Sequence, residues 1–195
     1  MKITAMVAML ITGAAAYGQT VATERKVAIC VNNEAGVMLH PSKTLASKMF
    51  SEIGVTVVWH TGFHNCPADA ILISLGGNTP ASLKPGALAF ARPYEGSHIQ
   101  VFYDRISNFR EPGVIPTLLA HVLVHEITHI LQCVARHSET GIMKANWDDQ
   151  DLFQMRLKAL AFAPEDIGFI YKGLAVRAHS AMVAMNAGNR MFARR

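Results

Sequence analysis

The sequence predicts one α+β domain, and three observations carry that prediction. Short apolar, β-branched segments come first and helical periodicities last, in the order strand, helix, four strands, helices. No repeat, low-complexity tract or linker interrupts the 195 residues, a length that suits one domain with a real core. Hydrophobic residues make up 51%, which argues against disorder.

The first twenty residues, MKITAMVAMLITGAAAYGQT, have a character of their own. One lysine precedes an apolar run from Ile3 to Ala16, followed by small residues. This is the anatomy of a secretory signal peptide, with an apolar core too short to span a bilayer. Cleavage is expected after Gly18, with Ala16 as the alternative and an uncleaved anchor as the competing reading. Residues 1–18 are thus read as a signal peptide. Residues 19–195 are read as one mature domain, secreted or periplasmic, with no later membrane span and no prodomain.

KVAICVN (26–32) alternates and is β-branched, so it reads as the first strand. His40-Pro41-Ser42 opens a helix with Ser42 as the expected N-cap. Leu45, Met49, Phe50 and Ile53 recur along it at helical spacing, and Gly54 stops it. VTVVWH (55–60) is the second strand. ADAILISL (68–75), apolar throughout, is the third and is expected to be buried on both faces. ALAFARPY (87–94) and HIQVFYDRI (98–106) complete the strands. Pro112-Gly113 then breaks the chain, and Pro116 sits in the first turn of a long helix. DDQDLFQMRLKALAF (148–162) and the segment from Pro164 to Asn186 are the last two helices, both opening with acids that suit a helix N-terminus.

Removing Lys2 with the leader lowers the formal charge from +4 to +3. Arg190, Arg194 and Arg195 gather near the C-terminus, but no aromatic residues interleave with a basic stripe, so a nucleic-acid partner is not expected. Of the three cysteines, Cys30 and Cys66 could close a disulfide in an oxidising compartment and leave Cys133 unpaired.

The chemistry concentrates in HVLVHEITHILQCVARHSETGIM (121–143). His125, Glu126 and His129 form H-E-x-x-H, and residues four apart share a helix face, so both imidazoles can reach one zinc ion (Zn2+). Glu126 stands beside them without ligating, where a carboxylate can take a proton from metal-activated water. Leu123, Ile127, Ile130 and Val134 form the apolar stripe on the opposite side, which turns the histidines toward a cleft. Surface histidines on an amphipathic helix are the bland alternative. Such a site lacks a third protein ligand, and four residues compete for the place. His121 and Cys133 share the histidine face but lie a further turn along it, about 5–6 Å. His121 is expected to border the cleft and Cys133 to pack as a small buried thiol, with an exposed thiol near the metal as the alternative. His137, beyond the expected helix end, can be brought back by a turn and is preferred, with Glu139 second.

From His125 to Met143 the sequence resembles the zinc-binding signature of the metzincin metallopeptidases, and its tail resembles the matrixin branch. In that family H-E-x-x-H-x-x-G-x-x-H is followed by a serine and then by the methionine of a Met-turn. His125, Glu126, His129, His137, Ser138 and Met143 match in order. The resemblance implies a twisted, mostly parallel five-stranded sheet with a backing helix, an active-site helix and C-terminal helices. It implies a peptide or protein substrate held along an antiparallel edge strand, here ALAFARPY, and Met143 beneath the metal. Trp147, Asp148 and Asp149 follow the Met-turn and could cap the next helix, buttress the turn, or both, with capping the expected role.

The chain also departs from the family. Seven residues separate His129 from His137 where the family has five, and Gln132 stands at the glycine position. The helix is therefore expected to run half a turn longer, with no glycine before Gly141 to ease a left-handed exit. No tyrosine follows Met143 closely, so a phenolic transition-state stabiliser is not carried over. The expected function is an exported zinc metalloendopeptidase with Glu126 as general base. The rivals are a catalytically degenerate zinc-binding domain serving as an interaction module, and a metal-free interaction protein.

Overall fold

The computed structural model describes residues 25–80, 85–91, 97–109 and 112–192. The expected signal peptide, residues 92–94 of the expected fourth strand, and the terminal Arg194 and Arg195 lie outside them.

Five strands build one sheet: β1 (Arg25–Asn33), β2 (Val55–Thr61), β3 (Ile71–Gly76), β4 (Ala89–Ala91) and β5 (His98–Phe102). Their order is β2-β1-β3-β5-β4, parallel throughout except for β4, which runs antiparallel to β5 at the edge. The α+β class and the mostly parallel five-stranded sheet are as expected.

Register explains which face is buried. Ile29 pairs with Ile71 and Trp59, and Ile73 pairs with Ile99, so the branched side chains fall in one layer. Val27, Ile29, Val31, Ile71, Ile73, Leu75, Ile99 and Val101 are all buried there. Each fully buried side chain of this size contributes roughly 1.5–3 kcal/mol. The expectation that β3 is buried on both faces does not hold. Leu72 and Ser74 are only half-buried, because the helices cover one side of the sheet.

Two helices pack beneath that layer, α1 (His40–Ser51) and α3 (Ile115–Gln132), and they touch each other. Every residue of α3 from Leu118 to Gln132 is buried, with His125, Glu126 and His129 keeping the most exposure, 7–9%. Ser42 is not the N-cap of α1; Leu39 holds that position without a side-chain hydrogen bond. Ser42 is fully buried and donates to the Pro116 carbonyl at 2.9 Å, tying α1 to the start of α3.

Two other segments depart from expectation. HIQVFYDRI is a strand only to Phe102; α2 (Tyr103–Ser107) follows, and Asp104 accepts hydrogen bonds from the Thr79 hydroxyl and amide. The helix expected over 148–162 is α4 (Asp149–Leu157), because the backbone beyond it is used elsewhere. The Leu160 amide donates to His121 Nε2 at 3.1 Å, and the Ala161 carbonyl accepts from the Ile142 amide at 3.0 Å.

Helix α5 (Pro164–Phe192) crosses the end of α3. A Cβ at Gly173 would collide with the Leu131 carbonyl, so the crossing demands glycine. The Tyr171 hydroxyl donates to the Ile53 carbonyl at 2.6 Å, anchoring α5 to the turn before β2. Cys30 and Cys66 are joined in a disulfide, Cα atoms 6.2 Å apart, which pins the β2–β3 connection to β1. Among the described residues no helix is long and apolar enough to cross a membrane.

Candidate metal centre

Helix α3 carries His125 and His129 on the side away from Leu123, Ile127 and Ile130, with Glu126 between the two faces. Val134 is not part of that stripe, because the helix stops at Gln132 and Cys133 adopts a left-handed conformation, φ 54° and ψ 28°. The expected half-turn extension therefore does not occur. A cysteine makes the exit that glycine would make more easily, at a strain of roughly 1–2 kcal/mol. Cys133 is exposed rather than a buried thiol.

The short helix exit returns the chain quickly, and His137 comes back over the pair. Its ring lies 5.3 Å from that of His125 and 4.9 Å from that of His129. One nitrogen from each of the three imidazoles falls within 4.8 Å of the other two. Glu139 is exposed and outside this group.

The hydrogen bonds around the pair fix its protonation. His125 Nδ1 meets the Ile142 carbonyl at 2.8 Å, and His129 Nδ1 meets the Val134 carbonyl at 3.3 Å. A carbonyl only accepts, so both Nδ1 atoms carry the proton. Burial, with repulsion from the neighbouring imidazoles, pulls each ring down to about 4, so neither gains a second proton near neutral pH. The two Nε2 atoms, 3.1 Å apart, are therefore bare lone pairs aimed at each other. Such a contact is repulsive unless a cation sits between them. Two nitrogens at tetrahedral zinc stand about 3.3 Å apart. The donor set fits that ion: three imidazoles, two of them neutral and oriented by carbonyls behind the ring.

His121 does not border the cleft. It is fully buried, with Nδ1 on the Thr117 carbonyl at 2.8 Å and Nε2 accepting from Leu160, so it joins α3 to the segment after α4. Met143 is fully buried in the turn after His137. That turn is closed by the Ser138 amide donating to the Met143 carbonyl at 2.8 Å, and Gly141 makes its left-handed bend at φ 76°. A Cβ at Gly141 would strike the Ala161 carbonyl. Trp147 presents its ring edge-on to His125 at 5.5 Å and donates to the Gly141 carbonyl, while Asp148 caps α4 in a full capping box with Asp151. The tryptophan buttresses and the aspartate caps.

Glu126 is nine-tenths buried, and burial pushes its carboxyl up to about 8 against the pull of a hydrogen bond from the Ala91 backbone. That bond joins the helix to β4. The Phe102 amide donates to the Leu88 carbonyl, so by antiparallel alternation Ala89 and Ala91 direct their backbone groups away from β5. They line, with Leu118 and Val122, a cleft of about 810 Å³ that reaches His125, Glu126, His129 and His137. A second cavity of about 550 Å³ adjoins it past Phe109 and Leu152.

One part of the site was not readable from the sequence. Asp166, fully buried in the first turn of α5, accepts from Arg136 and from Ser138, the residues on either side of His137. Only the acids after Pro164 signalled anything there, and they signalled a helix start.

The fold is similar to those of two solved proteins, one described as an archaemetzincin and one as a zinc-dependent peptidase. An archaemetzincin from Methanopyrus kandleri superposes with a TM-score of 0.59 at 14% identity, over 80% of this chain and 99% of the other. A zinc-dependent peptidase from Methanocorpusculum labreanum does so with a TM-score of 0.53 at 12% identity, over 73% and 99%. No protein-family model matches the sequence, and no curated protein is similar to it.

Proposed function

We propose that the chain is an exported, metzincin-like zinc metallopeptidase that cleaves within peptide or protein chains. The observation that carries this reading is the opposed pair of unprotonated Nε2 atoms on His125 and His129, joined by His137 beside the buried Glu126. Similarity of fold to proteins described as an archaemetzincin and a zinc-dependent peptidase supports it.

His125, His129 and His137 would hold the ion, and Met143 would floor the site. Bound zinc supplies a Lewis acid that polarises a substrate carbonyl and lowers the pKa of water toward neutrality. Glu126 takes the proton of the attacking water and passes it to the leaving amine. Burial holds its carboxyl at about 8 in the metal-free protein, and a cation beside it would favour the ionised form that accepts the proton. The outward backbone groups of Ala89 and the Ala91 carbonyl would pair with an extended substrate, laying it across the site rather than end-on. That arrangement favours internal cleavage. The disulfide between Cys30 and Cys66 supports export, since such bonds persist in oxidising compartments.

The seven-residue spacing, which favours a degenerate binding domain, does not keep His137 from the pair. A zinc assay and a peptide-library digest, with and without chelator, separate the two readings. One zinc per chain and chelator-sensitive cleavage are expected, with Glu126→Ala keeping the metal and losing turnover. Stoichiometric zinc with no cleavage of any peptide favours the binding domain.

A further inference from the structure

We infer that Asp166 is the positioning residue for the third metal ligand, His137, and that it ties the completeness of the metal site to the docking of α5. This inference rests on the metal reading above and deepens it.

The argument starts from a loop that cannot place His137 alone. Residues 133–136 link the end of α3 to His137 with no glycine, and Cys133 sits in a conformation that an L-residue keeps only when its surroundings enforce it. The enforcement converges on one carboxylate. Asp166 accepts from Arg136 Nη1 at 2.5 Å and from Ser138 Oγ at 2.8 and 2.9 Å. It also meets Gln132 Nε2 at 3.3 Å. Gln132 is the last residue of α3, and Arg136 and Ser138 flank His137, so both ends of the loop are fastened to a single point on α5. Arg136 is held further by Glu165 at 3.1 Å and by stacking over Phe169, both also on α5.

His125 and His129 are placed by α3 itself and by the Ile142 and Val134 carbonyls. His137 has no regular element of its own. Loosening Asp166 should therefore degrade the three-ligand site toward a two-ligand one while leaving the helical pair intact.

The experiment is zinc affinity by chelator competition on the full chain, with the absorption spectrum of the cobalt-substituted protein as a report on coordination. Asp166→Asn is expected to weaken zinc about 10–100-fold and to move the cobalt spectrum toward that of His137→Ala. Made in the His137→Ala background, Asp166→Asn should change affinity no further. An equal loss in both backgrounds would mean a general structural role and overturn the inference, as would wild-type affinity in Asp166→Asn. Should that variant fail to fold, Ser138→Ala should show a smaller loss in the same direction, restored by Ser138→Thr; no loss in Ser138→Ala overturns the inference. A wild-type chain that binds no zinc overturns this inference and the metal reading together, whereas tight wild-type binding indifferent to Asp166 and Ser138 overturns this one alone.

Discussion

His125 and His129 turn their Nε2 atoms toward each other across 3.1 Å, with no proton between them to share. Each has its single proton on Nδ1, directed at a backbone carbonyl. The pair is thus prepared for a cation before one arrives, and removing either member should remove the metal. His125→Ala is expected to lower bound zinc, measured by elemental analysis after dialysis, to the level of a chelator-treated control. Retention of stoichiometric zinc would refute the site.

The same burial sets how the metal-free protein responds to pH. His125 and His129 are held at about 4, against 6.5 in the unfolded chain, chiefly by desolvation. Between those values the unfolded chain binds protons that the folded chain refuses, so stability rises with pH. Glu126 acts in the opposite sense. Raised from 4.5 to about 8 by desolvation, it keeps a proton that unfolding releases, so its contribution declines from pH 4.5 to about 8. These two imidazoles, joined by the buried His121, which desolvation lowers in the same sense, outweigh one carboxyl below about pH 6.5, and above it the carboxyl's decline prevails. Denaturant unfolding of chelator-treated protein should therefore show greatest stability near pH 6.5. A curve still rising steadily through pH 8 would contradict this.

Gly173 is the contact point of α5 with the end of α3. Adding a methyl group there forces the helices apart, and overpacking of this kind costs about 1–3 kcal/mol. Gly173→Ala should lower the denaturation midpoint by that amount. Gly168, on the same helix with nothing within reach of an added Cβ, should accept alanine without loss.

The disulfide joins residues 36 apart in sequence. Restricting the unfolded chain by a loop of that length is worth about 4 kcal/mol on the chain-entropy account. Unfolding of Cys30→Ala/Cys66→Ala, compared with the parent under oxidising conditions, should show a loss of that order. Equal stability of the two proteins would place the bond outside the stabilising interactions.

Much of the sheet and the histidine-bearing helix was legible because each is written in local periodicity. Val27, Ile29 and Val31 alternate, and His125 and His129 stand four apart, whatever the rest of the chain does. The boundaries that failed did so where a distant partner claimed the backbone. His121 took the Leu160 amide and ended the expected long helix. Pro116 took the Ser42 hydroxyl, which could then cap nothing. Cys133 turned left-handed without being glycine, against its own preference, in a loop fastened at both ends by Asp166.

By itself the sequence determined the strands, the long buried helix and a histidine pair on one of its faces, because hydrophobic period and i, i+4 spacing act within a few residues. Which third side chain would meet that pair was decided in three dimensions. Asp166 lies 29 positions beyond His137, and a hydrogen bond across such a distance leaves no trace in any local pattern. It exists only once α5 has packed against α3.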